Sequence, residues 1–199
     1  METFGQFSLT KYLDATLSTI EQSVKDESFC TSVLRAAELC VTAMRAGGKV
    51  LLAGNGGSAG DAQHIAGEFI SRFLFDRPAM PAIALTVDTS VLTAIGNDYG
   101  YEHVFSRQVQ GLGAPGDVFI GISTSGRSPN ILRAMDVAKE KGLKVIAFTG
   151  SKGAAMIAKA DAAIVASSSE TPYIQQVHII AGHAICAAVE AAIFEPPQV

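Results

Sequence analysis

The chain has 199 residues, 48% hydrophobic and 17% charged, with a formal net charge of −4. That is the make-up of a folded domain with room for a real core; it excludes a disordered chain and lacks the basic footprint of a nucleic-acid binder. Three widely spaced cysteines, Cys30, Cys40 and Cys186, fit neither a disulfide framework nor a cysteine zinc site, and suit a reducing cytosol.

No basic-then-apolar signal segment opens the sequence. The longest nearly apolar stretch, residues 179–194, is short for a bilayer span and contains His183 and Glu190. The expectation is a soluble, cytoplasmic protein with no membrane and no nucleic-acid partner.

In chain order, residues 9–26 place Leu13, Leu17, Ile20 and Val24 at helical spacing. A second helix is predicted from Ser28 as N-cap, with Phe29, Val33, Ala36 and Cys40 on one face and Gly47-Gly48 ending it. Residues 1–47 are thus a helical pair serving oligomerisation and belonging to the same domain as residues 48–199. From Lys49 the pattern changes to five short apolar runs, near 49–54, 81–86, 117–124, 144–150 and 162–167, mostly separated by helical segments. Continuous apolar strands alternating with helices predict an α/β fold: a three-layer α/β/α, doubly wound, parallel five-stranded sheet. Ligands of such sheets bind at the carboxyl ends of the strands.

The first such end is Gly54-Asn55-Gly56-Gly57-Ser58. Glycines let the backbone approach an anion, and a helix N-terminus supplies unpaired N–H groups. Ser58 is read as N-cap or hydroxyl donor. Gly54, Gly56 and Ala59 also fit a dinucleotide pattern, but the acidic residue expected about 20 positions on is missing. A tight turn with no ligand is the alternative. The helix that follows carries His64 and Glu68 at i, i+4, one face for one ion or one substrate. The alternative is a surface contact. Asp61, one turn earlier, is either an orienting group for His64 or an exposed carboxylate.

Gly96-Asn97-Asp98-Tyr99-Gly100 reads as a third strand-end feature, a plain turn or a source of sugar contacts from Asn97 and Asp98. His103 has no such context and reads as surface or structural. After the 117–124 strand, Ser123, Thr124 and Ser125 crowd three hydroxyls before a helix opened by Ser128 and Pro129 as N-cap and N1. Hydroxyls, backbone N–H groups and a helix dipole suit a phosphate monoester; a self-satisfied serine-rich turn is the alternative. Two cradles at neighbouring strand ends fit one small phosphorylated ligand.

The last helix, about 172–194, is predicted to start at Thr171-Pro172 as N-cap and N1 and is apolar nearly all round. Together with the N-terminal pair it is more apolar surface than one sheet covers, so an oligomer is predicted. Gln175, His178 and His183 on this helix need partners. Gln175 and His183 are eight residues apart, about 12 Å of rise. One unbroken helix would strain to bring both to a single ion, so either the helix is distorted, for example at Gly182, or two subunits contribute.

Taken in order, GNGGS, DAQHIAGEF, TAIGNDYG, GISTSGRSPN and IQQVHIIAGH make the chain similar to the sugar isomerase (SIS) domain family, and within it to the phosphoheptose isomerases. The likeness covers nearly the whole chain, with residues 48–199 as the SIS domain. It implies aldose–ketose isomerisation of sedoheptulose 7-phosphate, on the way to activated heptose for lipopolysaccharide or capsule. It implies a base and an acid at Glu68 and His183, and one Zn²⁺ per subunit held by His64, Glu68, Gln175 and His183. Substrate contacts are implied at Asn55, Gly56, Gly57, Ser58, Glu68, Asn97, Asp98, Ser123, Thr124, Ser125, Ser128 and Gln175. It also implies a homotetramer with sites between subunits. Some members carry an aspartate where this chain has Pro172. The rivals are a non-catalytic relative of the DnaA initiator-associating type and a phosphosugar sensor. The first lacks the residues matching Glu68 and His183; the second usually accompanies a DNA-binding domain.

Overall fold

The structure, a computed structural model, describes residues 3–195. A two-residue hairpin, β1 (Thr3–Phe4) with β2 (Phe7–Ser8), precedes helices α1 (Leu9–Lys25) and α2 (Glu27–Arg45). Then come β3 (Val50–Gly54), α3 (Gly57–Ile70), β4 (Ala82–Ala84), α4 (Thr89–Tyr99) and α5 (Ser106–Leu112). The chain continues through β5 (Val118–Ile122), α6 (Pro129–Glu140), β6 (Lys144–Gly150), α7 (Ala154–Ile157), β7 (Ala162–Ala166) and α8 (Thr171–Ile193).

The five predicted strands form one parallel sheet in the order β4-β3-β5-β6-β7. Every residue of β3 and β5 is buried, because both faces of the sheet are covered. Alternate residues feed two cores. Val50, Leu52, Ile120 and Phe148 pack with α2, α3 and α8, while Leu51, Ala53, Phe119 and Ala147 pack with α5, α6 and α7. The expected α/β/α sandwich is therefore present. Its strand order reverses between β3 and β5, and that is where the crevice of a doubly wound sheet opens.

Several expected helix starts are displaced. Asp26, not Ser28, caps α2: its Oδ1 accepts from Ser28 N at 2.8 Å. Both side chains offer an oxygen, and the carboxylate two residues earlier wins. Glu170, not Thr171, occupies the cap position of α8, and the Thr171 hydroxyl meets Thr124 Oγ1 at 3.3 Å instead. Along α1 the predicted stripe is not covered by this chain's own sheet: Leu13 and Leu17 are 48% and 65% exposed.

By length and composition α8 is apolar enough to cross a bilayer, yet it serves as a core helix, with Ile174, Val177, Ile185 and Val189 buried against the sheet layer. His178 stands among them, fully buried, its Nε2 3.1 Å from the Thr149 carbonyl and its ring edge-on to Phe148. Burial lowers its pKa from 6.5 to about 4, against the opposing pull of that carbonyl. The unfolded chain therefore takes up a proton below pH 6.5 that the folded chain refuses until about pH 4. Stability from this group falls as pH drops through that window, by roughly 3 kcal/mol in all. Burial raises Asp61 to about 6, opposed by His64, which gives the opposite slope over part of the same range. The check is thus a difference: thermal melts from pH 7 to pH 4 should show a steeper loss in the wild type than in His178→Phe.

Candidate active site

The GNGGS turn leaves β3 and enters α3 at the switch point. Gly56, at the helix cap, has φ +56° and ψ −123°, a backbone state open essentially to glycine. Ser58 is therefore not the N-cap; it is buried within the first turn of α3. Across from this turn, the 123–128 loop leaves β5. Ser128 sits at the cap of α6 as expected, but its hydroxyl makes no capping bond. It lies 2.8 Å from Ser123 Oγ, and Ser125 Oγ accepts from Arg127 N at 3.3 Å. These hydroxyls are grouped at a helix start whose own N–H groups stay uncapped by them.

The two turns face each other across a cavity of about 260 Å³ lined by Asn55, Gly56, Gly57, Ser58, Ser123, Thr124, Ser125, Ser128 and Gln175, with Ile122 and Thr171 added. Nine predicted substrate-contact residues are thus brought together. From sequence Thr171 is expected only as a cap. Asn130, whose sequence context gave no signal, exchanges two amide hydrogen bonds with Asn55, at 3.0 and 2.9 Å. Tyr101 donates to Asn55 Oδ1 at 3.2 Å, so the Asn55 amide is held in place.

Asn97 and Asp98 are elsewhere. The GNDYG stretch forms the last turn of α4 and the residue after it, not a strand end. Both side chains are exposed, and Asn97 Nδ2 donates to Asp98 Oδ1 at 2.8 Å. Within one chain neither lines the cavity. His103 closes a short 3₁₀ turn, where its carbonyl accepts from Ser106 Oγ.

His64 and Glu68 do share a face of α3, with His64 Nε2 3.4 Å from Glu68 Oε1. His183 joins them from α8, its Nε2 2.7 Å from His64 Nε2, so one imidazole donates and the other accepts. The donor atoms of all three lie within 4.8 Å of one another. Gly182 explains the approach: a Cβ there would fall 2.6 Å from Ile65 Cδ1, so its bare backbone lets α8 close on α3 beside the two histidines. The helix is not broken at Gly182; α8 runs continuously. The distortion that would bring Gln175 toward His183 along one helix is thus absent, and the Gln175 amide packs against Gly57 at the cradle. Asp61 makes no hydrogen bond to His64, and its Oδ2 is buried without a partner among the described residues. Phe73, unremarked in the sequence, places its ring 5.3 Å from that of His183.

Two imidazoles and a carboxylate converging in this way are a donor set that fits a zinc ion with an open position. The same three groups also suit moving a proton between neighbouring atoms of a bound molecule.

Residues 11–150 match the SIS domain family. The chain is 59% identical over 169 residues to a phosphoheptose isomerase of Burkholderia pseudomallei, covering 85% of this chain and 86% of that one. It is 53% identical over 194 residues to phosphoheptose isomerase 2 of Campylobacter jejuni, covering 98% and 96%. A solved phosphoheptose isomerase from Neisseria gonorrhoeae superposes with a TM-score of 0.86 at 40% identity, covering 92% of this chain and 97% of that one.

Proposed function

Because the chain belongs to the SIS domain family, and within it to the phosphoheptose isomerases, we propose that it interconverts sedoheptulose 7-phosphate and D-glycero-D-manno-heptose 7-phosphate in the cytoplasm. The observation that carries this is that His64 and Glu68, on the helix α3 that begins at the hydroxyl-lined cradle, meet His183 from α8. From Gly57 to His64 that helix rises about 10 Å. Cradle and trio are thus separate stations, one for the phosphate end of an open-chain sugar and one for its reacting carbons.

From the ketose, Glu68 takes a proton from C1, and the electron pair moves into an enediolate. The same proton, or one exchanged with water, returns to C2, while His183 carries a proton between the oxygens on C1 and C2. Oε1 of Glu68 faces His64, which leaves Oε2 for the proton. A Zn²⁺ held by His64, Glu68 and His183 would supply Lewis-acid stabilisation of the developing oxyanion. Ser123, Thr124, Ser125 and Ser128 hold the phosphate; Asn55, Gly56, Gly57, Ser58 and Gln175 hold the sugar. A homotetramer with shared sites belongs to this reading. Asn97 and Asp98, exposed and away from the cavity of their own chain, would reach sugar from a neighbouring copy. A second role for Gln175, as a ligand to the Zn²⁺, would be played toward the trio of a neighbouring copy.

The test is direct: incubate the purified chain with sedoheptulose 7-phosphate and follow the aldose phosphate. Product formation that pentulose and hexulose phosphates do not match is the expected result. No aldose at any enzyme concentration overturns the reading.

A further inference from the structure

We propose that Arg77 and Glu190 are positioning residues: a buried ion pair that sets the Glu68 end of α3 and the Phe73 ring against the helix carrying His183. The inference rests on the assignment of Glu68 and His183 as the acting groups. The pair is shut from solvent, with side chains 1% and 0% exposed, and Arg77 Nε donates to Glu190 Oε2 at 2.9 Å.

Each partner is committed to backbone on the site side. The last turn of a helix leaves carbonyls without partners, and Arg77 takes them up for α3. Its Nη2 donates to the Glu68 carbonyl at 2.7 Å, and its Nη1 to those of Phe69, Ser71 and Pro78 at 2.7, 3.1 and 3.1 Å. A planar guanidinium with five donors can do this, and a lysine cannot. Glu68 is two residues from the end of α3, so its orientation depends on that turn staying wound.

Glu190 does the complementary work. Its oxygens accept from the backbone N–H groups of Phe73, Leu74 and Phe75 at 2.9, 2.7 and 3.3 Å, pinning the loop that follows α3. That loop carries the ring packed on His183. Glu190 and His183 are seven residues apart on α8, close to two full turns, and so share a face. One ion pair therefore registers the base from the α3 side and the imidazole from the α8 side.

The test uses the full-length chain with Arg77→Lys, Glu190→Gln and Phe73→Leu. Val109→Ala, in the core on the other face of the sheet, serves as a control for lost stability. Two readouts are taken below the melting temperature of every variant: kcat and KM for sedoheptulose 7-phosphate, and the ¹H–¹³C resonances of the His183 ring. Arg77→Lys and Glu190→Gln should lower kcat about tenfold to a hundredfold, as misplacement of reacting groups does, with KM little changed. In Glu190→Gln and Phe73→Leu the His183 resonances should also lose the ring-current shift from Phe73. Val109→Ala should lower the melting temperature with kcat and resonances unmoved. A kcat loss that merely tracks melting temperature across all four variants overturns the proposal, as does an unshifted His183 ring in Glu190→Gln. If Glu190→Gln is recovered unfolded, Arg77→Lys decides, with Phe73→Leu marking the resonance position without the ring: a kcat loss in Arg77→Lys no larger than that of a core variant of equal melting temperature overturns the proposal. A wild type without turnover defeats the assigned reaction, and the ring resonances still decide the positioning role.

Discussion

Glu68→Gln is expected to lower kcat for sedoheptulose 7-phosphate by about 10²- to 10⁴-fold, the range for a positioned general base, while the sugar phosphate still binds. The substitution is nearly isosteric and keeps an oxygen to face His64, so the fold and the cradle are undisturbed. What it removes is the group proposed to accept the proton from carbon. On the proposed reading the phosphate is held by hydroxyls and N–H groups at the other station, so KM or a directly measured Kd should change little. Deuterium uptake from heavy water into the carbon-bound position should fall in parallel with turnover, because both need the same abstraction. Turnover within tenfold of wild type would remove Glu68 as the base and leave the chemistry to His183 and His64.

Much of this site was legible because its signals are local. A strand buried on both faces must be an unbroken apolar run, and β3 and β5 are such runs. His64 and Glu68 announce themselves by spacing alone. The GNDYG stretch was misplaced because β4 is only three residues long, and Asp88, by accepting from Val91 N, starts α4 soon after it. The contact between His64 and His183 spans 119 positions and depends on what a side chain at 182 would strike, so no spacing rule reveals it. Glu190 is the instructive omission. A carboxylate on an apolar helix demands a partner by the same logic that singled out His178 and His183. The sequence offers many candidate cations, and only the return of the chain after α3 selects Arg77.

The other large effect concerns the glycines of the cradle, which look alike in sequence and differ in what surrounds them. Gly54→Ala is expected to destabilise the protein by about 3 kcal/mol or more, at or beyond the upper end for overpacking. Its Cβ would stand 2.2 Å from the Ser58 carbonyl oxygen and 2.5 Å from the carbonyl carbon. Neither side can yield: Gly54 is registered against Ile122 in the interior of the sheet, and the Ser58 N–H is tied to the Asn55 carbonyl at 3.0 Å. For a domain of this size the melting temperature should drop by about 6–12 °C. Gly57→Ala meets only the tip of Gln175, with Nε2 at 2.4 Å, and that flexible side chain can swing away. Alanine is also the better helix former by about 1 kcal/mol, so the melting temperature of Gly57→Ala should hold or rise. The displaced Gln175 amide should instead raise KM about tenfold, the loss of one hydrogen bond to an ionised or strongly polar group. Melts and kinetics on the two variants separate a glycine required by backbone packing from one required by the ligand. Equal melting temperatures for both would mean that the turn at residues 54–58 relaxes freely, and the cradle would then not be a preformed anion site.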